Sequence, residues 1–257
     1  MKKQTIKEVK ETLKTITEES DYIKTLRQDE RAGVQSALKQ WDKKQLKIKQ
    51  LKEDFITKQY YEQQYLNRGF KYIAGVDEVG RGPLAGPVVC AAVILDPNKP
   101  IIGLDDSKAL SEKKRNELFE AINEHALAVS VIEASPQQID SLNIYQATRT
   151  AMNDAVSTLS QAPDCILVDA MTLDVRITQE SIVKGDSHSN SIAAASIVAK
   201  VTRDNLMKEY AKEFPHYDFE NNVGYGTKKH LQGLEKVGPS PIHRKSFEPV
   251  KSMVENN

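Results

Sequence analysis

KYIAGVDEVGRGPLAGPVVCAAVIL, residues 71–95, is the stretch that decides the fold. Two apolar runs, KYIAGVD and VVCAAVILD, flank the glycine- and proline-rich connection EVGRGPLAGP. Short β-branched runs bounded by such residues read as strands joined by a wide turn, so an antiparallel pair is expected. Downstream the texture alternates between helix and strand. Ser111 before EKKRNELFEAINEH reads as a capped helix, LAVSVIEAS as a strand, IYQATRTAMNDAVSTLS as a helix, and DCILVDA as a short apolar strand ending on an aspartate. SIVKGD reads as a further short strand. A small-residue-rich helix is expected from about His188 to Pro215, and a basic helix, TKKHLQGLEKVG, closed by Gly238. The proline-punctuated tail is expected to be ordered by docking.

Upstream the pattern is different. Residues 1–70 hold no proline and only Gly33 before Gly69, and their apolar positions recur at helical spacing. Ile6, Val9, Leu13 and Ile16 mark one helix; Val34, Leu38, Trp41, Ile48, Leu51 and Phe55 mark a second, which would be roughly 50 Å long if unbroken from 32 to 66. A helical extension over 1–70 followed by a main domain over 71–257 is expected, with Trp41 as a core anchor of the extension.

Composition narrows the class. In 257 residues, 39% are hydrophobic and 28% charged, which is ordinary for a globular chain and far from a disordered one. No stretch approaches the roughly 18 consecutive apolar residues of a membrane span, and the lysine-rich start carries no signal-peptide pattern. A cytoplasmic location is expected. Cys90 and Cys165 lie in apolar runs without metal-ligand spacing and read as buried thiols. The zero net charge conceals an asymmetry: residues 1–70 carry 16 basic and 11 acidic side chains, leaving the rest acidic. A basic appendage on an acidic body suits a protein whose body binds metal and whose appendage meets a polyanion.

Five adjacent acidic pairs occur, as many as chance gives for 36 acidic residues, so adjacency alone carries no information. Asp77-Glu78 differs from the others by its place, directly after an apolar strand and before Gly80-Arg81-Gly82. A carboxylate there is retained when a cation or hydrogen bonds compensate it. Asp169 ends the most apolar strand, and Asp186 in the KGD turn is a fourth oxygen donor expected at the same sheet edge. All-oxygen ligation selects magnesium or manganese, and four such carboxylates imply two-metal phosphoryl chemistry on a phosphodiester. The two glycines let backbone approach a ligand, and Arg81 supplies a planar cation for phosphate or ribose. The nucleotide-triphosphate pattern GxxxxGK[ST] is absent.

The run GVDEVGRGPLAGPVVCAAVIL, together with DDSKAL, ILVDA, KGD, IAAASIVAKVTRD, GYGT and GPSPIHRKSF, in that order over about 71–248, closely resembles bacterial ribonuclease HII. Ribonuclease HIII carries GTG where this chain reads Gly80-Arg81-Gly82, and has a β-rich N-terminal domain. The resemblance implies an α/β, RNase H-like mixed five-stranded sheet flanked by helices, with a C-terminal helical part. It also implies hydrolysis of RNA in RNA/DNA hybrids and incision 5′ to single ribonucleotides in duplex DNA, leaving 3′-hydroxyl and 5′-phosphate. By the same resemblance Asp77, Glu78, Asp169 and Asp186 are catalytic metal ligands for magnesium or manganese. Gly80, Arg81 and Gly82 contact the 2′-hydroxyl, the group that distinguishes RNA from DNA. Tyr225 stacks on the deoxyribose after the ribonucleotide, and Ser107, Lys108 and Arg244 lie along the substrate backbone. Lys228, Lys229, His230, His243 and Lys245 complete a basic stretch suited to phosphates, and His188 stands near Asp186. A monomer is expected. The 1–70 extension lies outside these motifs, and its charge motivates a role in duplex affinity. The rivals are a noncatalytic hybrid-binding module and another RNase H-like nuclease such as a resolvase core, which would need neither GRG nor Tyr225.

Overall fold

The strand pair expected over 71–95 is present. In the computed structural model, which describes residues 4–255, β1 (Ile73–Val79) runs antiparallel to β2 (Val88–Ile94), with Asp77 opposite Ala91 and Glu78 opposite Cys90. β3 (Ala128–Ala134) continues antiparallel beyond β2, while β4 (Cys165–Asp169) and β5 (Thr178–Ile182) extend the other side in parallel. The order β3-β2-β1-β4-β5 is therefore a mixed five-stranded sheet. β1, β2 and β4 are almost wholly buried, as near-continuous apolar runs require when both faces are covered.

The chain divides into two compact units, 1–56 and 57–257. In the first, α1 (Ile6–Thr15) opens on a reciprocal cap between Thr5 and Glu8, α2 (Asp21–Arg27) is capped by Ser20, and α3 runs Ala32–Lys58. Val9, Leu13, Ile23, Leu26, Val34, Leu38 and Trp41 form its core, and the Trp41 indole donates to the Ile16 carbonyl at 2.9 Å. Two predicted helices are thus three, because the α2 turn is short and its two buried side chains, Ile23 and Leu26, give too little periodicity to register.

The second unit begins with α4 (Tyr60–Asn67), so the long helix pictured from 32 to 66 breaks at Gln59. Neither glycine nor proline marks that break. Tyr65 of α4 packs with Ile73, Cys165, Leu167, Ile182 and Ile192, so residues 57–70 belong by contact to the unit that contains the sheet. α5 (Glu112–His125) is capped by Ser111. α6 (Pro136–Leu142) and α7 (Ile144–Ser157) follow, with α7 packing Ala147, Ala151, Met152 and Ala155 onto one face of the sheet. α8 (Asn190–Glu213) covers the other face. Its approach is set by Gly75 in β1, where a Cβ would stand 2.0 Å from the Ser191 carbonyl carbon, so any side chain would lift α8 from the sheet. α9 (Phe219–Asn222), α10 (Lys228–Val237) and α11 (Val250–Glu255) form the C-terminal helical part, whose core joins Leu84 and Ala85 to Met207, Tyr217, Phe219 and Leu234.

The strand expected over SIVKGD, residues 181–186, is displaced: β5 begins three residues earlier and takes in only Ser181 and Ile182, Val183 is exposed, and Gly185–Ser187 form a 3₁₀ turn entered through a left-handed Lys184. The half-exposed β5 alternates too weakly in hydrophobicity to be read, whereas the apolar Ile182-Val183 pair at its end is conspicuous.

Candidate active site

The parallel register pairs Val76 with Val168, so Asp77 and Asp169, each the next residue, reach the same edge of neighbouring central strands. Asp77 is 4% exposed. Burial, and behind it the nearby charges of Glu78 and Asp169, holds its carboxyl well above the usual carboxylate range, against hydrogen bonds from Ser196 and the Glu78 amide. Burial also raises the Glu78 carboxyl; Arg81, whose guanidinium stands 3.5 Å from it, pulls it back, and Asp169 pushes it further up. Asp169 accepts the Gly185 amide at 2.7 Å, which ties it to the 3₁₀ turn carrying Asp186. The Asp186 carboxyl is raised by burial and then by Asp106 and Asp169, with Lys108 opposing. Asp77, Glu78 and Asp169 therefore act on one another electrostatically, and Asp186 joins them through Asp169.

Among the described residues no three His, Cys, Asp or Glu side chains close around a common point tightly enough to cage an ion as they stand. The chemistry of the donor set nonetheless fits a hard divalent cation. Like charges are gathered where burial penalises them, the nearest cation to Glu78 is the long Arg81 contact, and every donor is oxygen.

Beside this edge lies a second structure. Gly80 adopts φ of +95°, and a Cβ there would sit 2.1 Å from Nε of Arg203, so the turn requires glycine. Arg81 and Gly82 are exposed, and the ring of Tyr225, itself 47% exposed, lies 3.4 Å from where a Gly82 Cβ would be. Leu84 N–H donates to the Gly224 carbonyl, Gly86 N–H to Ile242, and Arg244 N–H to Leu84, which fastens the 80–87 loop to the 223–225 turn and to residues 242–244.

Arg244 stands inside this assembly, fully buried. Its guanidinium donates to the carbonyls of Gly80, Arg81 and Gly86. Burial and the neighbouring Arg203 lower its pKa to about 9. A guanidinium so engaged acts through the loop it holds, since a phosphate contact needs donors at the surface. His230 and His243 are buried too and bonded to each other at 2.8 Å, while Lys228, Lys229 and Lys245 are exposed. Ser107 is buried with its Oγ 3.0 Å from Ser196 Oγ, while Lys108 is exposed and near enough to Glu78 and Asp186 to affect both. His188 is exposed at the start of α8.

Three residues were missed. Arg203 on α8 is fully buried and donates to the carbonyls of Pro87, Ala85 and Val223 at 2.9, 3.1 and 2.8 Å; a lone arginine just after the alanine-rich, buried first half of the helix was a signal that could have found it. Asp106 adjoins Asp186, and only its neighbours in DDSK had been singled out. Glu62 of α4 is buried at the start of α8, accepting Ser189 Oγ at 2.7 Å and the Ser191 amide at 2.8 Å, and no local pattern announces it.

Comparison with known proteins gives one consistent answer. The family described as ribonuclease HII matches residues 74–250, and the family described as ribonuclease HII N-terminal domain matches residues 5–66. A ribonuclease HII of Enterococcus faecalis is 52% identical over 255 residues, covering 99% of this chain and all of that one, and a ribonuclease HII of Bacillus cytotoxicus is 53% identical over 257 residues, 100% of this chain and 99% of that one. Among solved structures, ribonuclease H2 of Pyrococcus horikoshii superposes with a TM-score of 0.62 at 27% identity, over 72% of this chain and 98% of that one.

Proposed function

The chain belongs to the ribonuclease HII family and is a ribonuclease H, and on that premise we propose that it hydrolyses the RNA strand of RNA/DNA hybrids and incises duplex DNA on the 5′ side of a single embedded ribonucleotide, leaving a 3′-hydroxyl and a 5′-phosphate. The observation that carries the reading is the adjacency of two devices: strand-end carboxylates under mutual repulsion, and an exposed tyrosine ring set against the Gly80-Arg81-Gly82 turn.

Asp77, Glu78, Asp169 and Asp186 would hold divalent ions, magnesium or manganese. Bound there, such ions supply the activation of water and the stabilisation of the leaving oxygen. The chain does the rest. The Gly80-Arg81-Gly82 backbone, open to solvent at Arg81 and Gly82, receives the ribose, and its amides are the groups that a 2′-hydroxyl can meet. The Tyr225 ring stacks on the following sugar, where an extra hydroxyl would clash. Lys108 and the exposed Lys228, Lys229 and Lys245 meet phosphates, which position the duplex without reading sequence. Arg203 and Arg244 hold the reading loop in shape.

The four carboxylates, the Gly80-Arg81-Gly82 turn and Tyr225 all lie in the 57–257 unit, so the proposed reaction needs no second copy, and we propose action as a monomer. The buried free thiols of Cys90 and Cys165 support a reducing, cytoplasmic setting, and among the described residues no helix is long and apolar enough to cross a membrane. Incubation with a DNA duplex carrying one internal ribonucleotide, with magnesium, manganese or chelator, tests the reading. One metal-dependent nick 5′ to the ribonucleotide is expected; cleavage of long hybrids without it would overturn the junction assignment.

A further inference from the structure

Tyr225 is exposed, yet its backbone is held from within. Its amide donates to the Asn222 carbonyl at 2.9 Å. Asn222 Oδ1 accepts the Gly224 amide at 2.8 Å, and Asn222 Nδ2 donates to the Tyr217 carbonyl. Val223, a β-branched residue, is forced to a φ of +45°, with its carbonyl receiving Arg203 at 2.8 Å. Left-handed backbone at such a residue persists only where its surroundings over-determine it.

The Tyr225 carbonyl is the end of a longer line. It lies 2.9 Å from His230 Nδ1; His230 Nε2 lies 2.8 Å from His243 Nε2; and His243 Nδ1 lies 2.9 Å from the Ser240 amide and 2.8 Å from Ser240 Oγ. An amide can only donate, so His243 Nδ1 accepts. His243 is then protonated at Nε2 and donates to His230 Nε2, which leaves the His230 proton on Nδ1, pointing at Tyr225. The bonds permit one direction only, from Ser240 to Tyr225, with both rings neutral. Tyr217 and Phe219 enclose the pair edge-on. Burial accordingly keeps both imidazoles below their ordinary pKa, His243 at about 4.

We propose that His230 is a positioning residue for junction specificity: its Nδ1–H, oriented by His243, fixes the Tyr225 carbonyl and thereby the place of the exposed ring over Gly82. The inference rests on Tyr225 reading the sugar after the ribonucleotide. It assigns the two histidines of the basic C-terminal stretch to the interior of the reading device rather than to phosphates.

Two conservative variants separate this role from simple core packing. In His230→Asn the side-chain amide N–H can occupy the place of Nδ1–H and still donate to Tyr225. In His230→Gln the longer side chain reaches the Nε2 place, accepts from His243, and removes the side-chain donor to the Tyr225 carbonyl, which is then held only by the Thr227 amide at 2.7 Å. Both remove the ring. The readout is kcat/KM for incision at a single ribonucleotide divided by that for a long hybrid, with Tyr225→Ala as reference. The ratio is expected to fall about tenfold in Tyr225→Ala, as the loss of a stacking contact implies, nearly as far in His230→Gln, and within about twofold of the unsubstituted protein in His230→Asn. Equal ratios in the two His230 variants would overturn the positioning role. An unchanged ratio in Tyr225→Ala would instead overturn the reading of Tyr225 itself. Should either histidine variant fail to fold, nitrogen resonances of the unsubstituted protein decide: His230 protonated at Nδ1 and His243 at Nε2 sustains the chain of bonds, and any other pair of tautomers, or imidazolium at neutral pH, overturns it.

Discussion

The carboxylate edge and the loop platform beside it are built on opposite plans. Along the edge, Asp77, Glu78 and Asp186 are each raised by burial and by like charge, so the folded chain holds these groups in an environment that disfavours their ionised form. In the platform, two buried guanidiniums and two buried imidazoles are fully engaged with carbonyls, an amide and each other. One region is incomplete by construction and suited to receive cations. The other is complete by construction and suited to keep its shape while a substrate is tested against it. On the proposed reading, chemistry and discrimination are separated within a few residues of β1.

The comparison can be broken at its strongest point by Asp77→Asn. If the edge is held for cations, this isosteric change should lower hybrid cleavage by about a thousandfold or more, as losing several kcal/mol of charge stabilisation implies, while the metal-free protein unfolds at an equal or higher temperature because a buried charge under repulsion is gone. Parallel loss of activity and stability would make Asp77 a structural residue. Arg203→Met tests the other plan. It leaves the carbonyls of Ala85, Pro87 and Val223 without their buried donor, and urea unfolding should register a loss of about 3 kcal/mol; a loss under about 1 kcal/mol would show that the platform does not depend on its arginines.

Acid should act on the two regions with opposite sign. Raised carboxyls bind protons more readily when folded, so falling pH relieves the edge. The histidine pair has lowered pKa values, so its contribution is complete above the unfolded value of 6.5 and is lost as pH falls towards about 4. The gap in unfolding free energy between the unsubstituted protein and His243→Gln should therefore narrow by about 2 kcal/mol from pH 7 to 4.5. A gap independent of pH would mean that the imidazoles are not held neutral. The smallest expected effect lies outside both regions: removal of residues 1–56 should reduce the dependence of hybrid binding on salt without altering the incision position, and an unchanged salt slope would exclude the extension from duplex affinity.

How much of this was visible beforehand follows from where the signals lie. β1, β2 and β4 are buried on both faces, so their apolar runs stood out, and a carboxylate ending such a run is conspicuous because its burial is costly. Asp77, Glu78 and Asp169 were legible for that reason. Asp186 was singled out, but the strand leading towards it was placed too late, because β5 is half exposed and the apolar Val183, which lies beyond its buried end at Ile182, faces solvent. The break at Gln59 was hidden because it depends on what Tyr65 packs against, not on a local breaker. The basic tail was the deepest misdirection. Composition makes Lys228, Lys229, His230, His243, Arg244 and Lys245 one cationic group, and only the fold shows that the lysines face water while the histidines and arginine face carbonyls.

The bonds from Arg244 to Gly80 and Gly86 span 164 and 158 residues of chain. Read in the order of synthesis, that span is a schedule. All four proposed ion-holding carboxylates have been made by residue 186, and the strands that carry three of them can pair as soon as they emerge. The loop proposed to inspect the sugar must wait for an arginine made 158 to 164 residues after it. A growing polypeptide would thus acquire its cutting edge before its means of choosing what to cut, and a chain halted before Arg244 should leave the 80–87 segment open to proteases that the finished protein resists.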